Sequence, residues 1–110
     1  MKNIITLTII LLSVASYGQS KFKKADRLFE KMWYVEAAEE YEKSIKKGDR
    51  SMEVLQKAGD SYFFNTDMKS ANKWYEILIS EYLNEVDPEY IFRFSHTLEG
   101  MAQHKLAKKW

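Results

Sequence analysis

From Lys21 onward the apolar residues recur at intervals of three and four. Leu28 and Met32, and then across a turn Tyr34, Ala37, Ala38, Tyr41 and Ile45, form two such runs. That spacing puts one apolar stripe on each of two consecutive helices. No segment shows the period-two alternation of a half-buried strand. Polar punctuation separates the runs. Gly48 is a natural helix stop, Ser51 can cap the next start, and Asn65-Thr66-Asp67 makes a polar turn. Asp87-Pro88-Glu89 is the clearest start signal. It offers a capping carboxylate, a proline whose missing N–H costs nothing at the first helical position, and an acid at the positive helix end. The pattern predicts an all-α chain with helices at about 20 to 31, 35 to 47, 51 to 64, 68 to 82, 88 to 101 and 104 to 110.

The first twenty residues follow a different pattern. Met1-Lys2-Asn3 precedes an uninterrupted apolar and hydroxyl stretch from Ile4 to Val14, followed by Ala15-Ser16-Tyr17-Gly18-Gln19. A charge, an apolar segment and small residues, in that order, read as an export signal at 1–18 that is removed after Gly18. The apolar stretch is too short to cross a bilayer, which takes about 20 residues. The expectation is a mature chain starting at Gln19, periplasmic or outer-membrane-associated, with no transmembrane span. Because residue 19 is not cysteine, it cannot carry a lipid anchor.

The remainder repeats itself. Ala25, Asp26, Leu28 and Phe29 find counterparts 34 residues later in Gly59, Asp60, Tyr62 and Phe63, and Ala37 and Tyr41 in Ala71 and Tyr75. Ser95 and Leu98 continue the series from Gly59 and Tyr62 with the spacing stretched to 36 around Asn84 to Asp87. Small residues at 25, 37, 59 and 71 let two backbones approach, and the tyrosines supply area to neighbouring hairpins. In Leu55, Ala58, Gly59, Tyr62, Ala71, Tyr75 and Leu78 this pattern resembles the tetratricopeptide repeat family. The first copy fits at Ala25, Leu28, Tyr34, Ala37 and Tyr41, but Lys21 and Lys24 stand where the family is apolar. The resemblance implies a tetratricopeptide-type α-α superhelix of about two and a half hairpins over 19–110. Its repeats would fall at about 19–50, 51–86 and 87–110, the last breaking off inside its second helix and leaving Ile91, Phe94 and Leu98 partly uncovered.

Charge and chemistry narrow the function. Lys2 is the only charged residue of the first twenty, so the rest balances sixteen basic against sixteen acidic residues. There is no basic excess of the kind that neutralises nucleic-acid phosphates, and no polybasic stretch for an anionic membrane. No cysteine is present, His96 and His104 are eight residues apart, the glycines are scattered, and no nucleophile–base or paired-carboxylate pattern stands out. The reading is a protein that is not an enzyme, with no cofactor, metal or small-molecule substrate, whose partner is a protein or peptide in the cell envelope.

The resemblance also implies where that partner sits. In the family the first helix of each hairpin lines a concave face, and the register puts Phe22, Asp26, Phe29, Glu30, Gln56, Asp60, Phe63, Phe64, Phe92, His96 and Glu99 there. Within that set the candidate peptide groove is Phe22, Asp26, Gln56, Asp60, Phe64, Phe92 and His96, an aromatic surface with carboxylates suited to basic residues of a peptide. Phe29 and Phe63 read first as packing residues. The family's carboxylate-clamp variant is not matched, since Asp26 and Asp60 stand where it has asparagine. An export signal followed at once by such repeats further resembles the N-terminal region of outer membrane protein A family envelope proteins of Gram-negative bacteria, which implies a scaffold and a chain that continues. The alternatives are the regulatory front of an exported enzyme and a free-standing secreted adaptor.

Overall fold

The computed structural model describes residues 21–109, with side chains as far as Leu106. The export signal expected at 1–18 lies outside the described residues. Five helices follow one another: α1 Lys23–Glu30, α2 Tyr34–Lys46, α3 Met52–Phe64, α4 Met68–Tyr82 and α5 Pro88–Lys109. No strand occurs among the described residues, so the chain is all-α there.

Three of the helices end in the same way, and this makes the hairpins. After α1, Met32 turns to φ 64°, and Met32 N–H and Trp33 N–H donate back to the carbonyls of Phe29 and Leu28. After α3, Thr66 at φ 61° does the same with Phe63, and Asp67 with Tyr62. After α2, Gly48 at φ 105° and Asp49 bond to Ile45 and Ser44. Each is a left-handed residue closing the last turn and satisfying carbonyls that the helix leaves without partners. Three starts, at 52, 68 and 88, match the sequence reading, while the first helix begins at Lys23 and not near 20. Ser51 Oγ accepts from Val54 N–H, Asp67 accepts from Ser70 N–H, and Asp87 accepts from Glu89 N–H.

With links of three to five residues, successive helices pack side by side and antiparallel, and α5 also reaches α3. The core is Ala25, Ala37 and Tyr41 of the first hairpin with Val54, Leu55, Ala58, Ala71, Tyr75 and Leu78 of the second, joined by Phe22, Trp74 and Val86. Burying each large apolar side chain contributes about 1.5–3 kcal/mol. Gly59 explains why small residues recur: a Cβ there would lie 2.4 Å from the Tyr75 ring, well inside van der Waals contact distance. Here α3 and α4 touch almost backbone to ring.

The sixth helix expected at 104 to 110 is not separate. α5 runs unbroken from Pro88 to Lys109, so His104 lies within one continuous helix rather than at the start of a second. The reason is local. Met101-Ala102-Gln103-His104 holds no glycine, proline or asparagine to stop a helix, and good helix formers continue the bonding pattern. Gly100 does not adopt the left-handed conformation seen at Met32, Gly48 and Thr66. No helix of the described residues is long and apolar enough to cross a membrane.

Candidate interaction face

Of the first helices of the hairpins, α3 packs against α5, and the predicted residues lie at the N-cap of α1 and along α1, α3 and α5. Asp26, Gln56 and Asp60 meet in one cleft of about 330 Å³, with Glu30, Lys57 and Tyr90 around them. The carboxylates are not waiting for a ligand. Asp26 accepts from the Tyr41 hydroxyl and takes both of its oxygens to Lys57 Nζ at 2.9 Å. Asp60 accepts from the Tyr75 hydroxyl at 2.6 Å, the Tyr90 hydroxyl at 2.8 Å and Arg93 Nη1 at 2.8 Å. Each aspartate therefore fastens the second helix of its own hairpin and the first helix of the next.

The two clasps are copies. Asp26 and Asp60, and Tyr41 and Tyr75, are 34 apart, while Lys57 and Arg93 are 36 apart, the stretched spacing already seen at Gly59 and Ser95. Lys57 and Arg93 were not recognised from the sequence as partners of the aspartates, although that shared offset was a signal for them. Burial is the main cause that pushes the phenols of Tyr41, Tyr75 and Tyr90 well above their ordinary range, and the adjoining carboxylates push them the same way. Burial alone would lower Lys57 and Arg93, but Asp26 and Glu53 hold Lys57 up, and Asp60 does so for Arg93. These groups stay charged or protonated as the clasp needs.

Phe22 also departs from expectation. It is 5% exposed, edge-on to Tyr41 and under the ammonium of Lys57, so it closes the first hairpin's core and does not face an open groove. The apolar environment of Tyr41 gains more from that ring than solvent would.

What remains open is aromatic. Phe64 is 46% and Phe92 64% exposed, and His96 is exposed as well. They belong to one continuous set of rings. Tyr34 and Phe29 pack at 5.1 Å, Phe29 and Phe64 at 5.8 Å, Phe64 and Phe63 at 5.7 Å, Phe63 and His96 at 5.6 Å, and His96 stacks on Phe92 at 6.3 Å. The Arg93 guanidinium lies over Phe63, Phe64 and Tyr90 while paired to Asp60, which holds the inner edge of the ladder rigid. Phe29 and Phe63 are half-buried within it and serve packing, as read from the sequence. His96 stands in the series Asp26, Asp60, His96, where a ring replaces the clasp carboxylate.

A second cleft of about 510 Å³ lies between the α3–α4 turn at Thr66 to Lys69 and the far half of α5 at Gly100, Met101, His104 and Lys105. It exists because α5 continues past that turn. Among the described residues no group of three His, Cys, Asp or Glu side chains could hold a metal ion.

The described residues thus define an all-α chain of clasped antiparallel helical hairpins with an open aromatic face. Comparison with protein-family models, with curated proteins and with solved structures finds no match.

Proposed function

We propose that this chain is an exported interaction module of the cell envelope, a tetratricopeptide-type repeat array that holds a partner protein against the aromatic face of Phe64, Phe92 and His96. We further propose that it is the N-terminal part of an envelope scaffold of the outer membrane protein A kind. The observation that carries the binding reading is the placement of Phe64 and Phe92, two large rings left substantially in water on neighbouring helices although half-buried rings adjoin them. Contiguous exposed aromatic area on a rigid frame is where protein partners anchor. The repeat reading rests on the internal copying of clasps, turns and small–large contacts at 34 and 36 residues.

The test is site-specific photocrosslinking in cells, with a photoreactive residue at Phe92 and, as control, at Glu36. Crosslinking of one envelope protein from position 92 only, lost on Phe64→Ala with the melting temperature unchanged, supports the reading. Equal products from both positions, or none from either, would overturn it. Phe22 is left intact, because truncating it would disturb the core.

A further inference from the structure

Among the described residues three turns close on a left-handed residue, Met32, Gly48 and Thr66. Glycine takes that conformation freely, and Thr66 donates its hydroxyl to the Asn65 carbonyl. Met32 has no such compensation: at φ 64° its Cβ makes the backbone costly, and its side chain is 73% exposed. Trp33 and Val35 beside it are exposed as well. Strain and exposure both count against this apolar tip in water, and a costly local conformation that is nevertheless held points to a contact outside the chain.

Behind the tip runs a line of cations. Lys23, Arg27 and Lys31 stand four residues apart, so they fall within roughly 80° of arc along α1 and its C-cap. Ala25, Leu28 and Phe29, which pack into or against the core, lie on the opposite side. Lys21 and Lys24 are paired with Asp49 and Glu40, but the three cations of the stripe are exposed and in no ion pair among the described residues. Lys31 instead lays its ammonium 5.4 Å from the centre of the Trp33 ring. Of the nearby acids, Glu30 turns into the cleft of Asp26 and Asp60, and Glu36 stands on α2 about 100° round from Val35. The sequence has no contiguous polybasic run; helical spacing and the lack of acidic partners assemble this stripe.

We infer that this edge docks on an anionic phospholipid surface, Met32, Trp33 and Val35 entering the boundary between headgroups and acyl chains and Lys23, Arg27 and Lys31 facing the lipid phosphates. A fluid interface receives a projecting turn without needing a matching recess. Tryptophan suits that boundary, since its ring is apolar and its N–H stays wet. The long stem of Lys31 lets its ammonium remain among the headgroups while the ring beside it sinks. Laying the basic side of α1 toward the surface keeps all three cations close to a potential that decays over about 8 Å at physiological ionic strength.

The chain has no cysteine, so an environment-sensitive dye can be attached at Val35→Cys and, as control, at Glu76→Cys on the exposed side of α4. The protein, purified in the form the cell leaves it, is mixed with vesicles of phosphatidylglycerol and phosphatidylcholine or of phosphatidylcholine alone. A blue shift is expected at position 35 with the anionic vesicles, with none at position 76. Arg27→Gln is expected to weaken binding about fivefold. Met32→Gly should also bind more weakly while melting no lower than the parent, which separates insertion from folding. No shift at position 35 with either vesicle would overturn the inference. Equal shifts at 35 and 76, which is adsorption without orientation, would overturn it too, as would undiminished binding by Arg27→Gln. None of these outcomes touches the aromatic-face reading, which is tested at Phe92.

Discussion

Asp60 accepts from three side chains on two helices, and its neighbours show what one residue can hold. Its carboxylate takes two phenols and a guanidinium from α4 and α5, with side-chain exposures of only 13% for Asp60 and 20% for Arg93. Asp60→Ala leaves those donors underused in a place water barely reaches, so a loss of about 2–4 kcal/mol is expected in urea unfolding. Asp26→Ala, in the more open copy, should cost less; an equal cost would show that exposure does not grade the two clasps. Gly59→Ala is expected to destabilise by about 1–3 kcal/mol despite alanine's better helix propensity, because the new Cβ must displace the Tyr75 ring. Met32 tests the opposite sign. It sits at φ 64° with its side chain 73% exposed, so Met32→Gly relieves backbone strain, loses almost no packing, and should raise stability by about 0.5–1 kcal/mol in thermal melts.

At the scale of elements, α4 and α5 share a buried polar pair. Asn72 donates to Thr97 Oγ1, and Thr97 in turn donates to the Phe94 carbonyl. Thr97→Val keeps the shape but strands the Asn72 amide. Amide exchange is expected to speed up in α5 before α1 to α3, with a cost of about 1–3 kcal/mol. Uniform acceleration across all helices would show that α5 does not open on its own. Element boundaries were largely legible in the sequence, because the signals that set them are local: Ser51, Asp67 and Asp87 cap where their side chains suggest, and Gly48 stops α2. The end of the fifth helix was not legible in the same way. The 34-residue register argued for a break near 102, while the local residues there are helix formers, and the local preference prevailed.

For the whole molecule, the repeated clasps make stability depend on alkaline pH. The phenols of Tyr41, Tyr75 and Tyr90 have folded-state pKa values raised above the unfolded value of about 10. A group raised in the folded state contributes stability in full below its unfolded pKa and loses it as pH rises toward the folded one. The melting temperature should therefore hold up to about pH 9–10 and fall above it, and phenolate absorbance from these three residues should appear only with loss of helicity. Ionisation of all the tyrosines near pH 10 with the fold intact would contradict this.

The sequence by itself determined the all-helical class, most helix limits and the places where backbones approach, because periodicity, caps and small residues act within a turn or two of chain. Only the tetratricopeptide resemblance, and not periodicity alone, grouped Phe64, Phe92 and His96 on one face. What only the tertiary structure decided is which of the candidate groove residues stay free. Phe22 is covered because Tyr41 and Lys57 close over it, and Asp26 and Asp60 are engaged because tyrosines 15 residues on and cations 31 and 33 residues on converge upon them. Helical periodicity assigns a residue to a face, but whether that face meets water depends on helices that the local sequence does not contain.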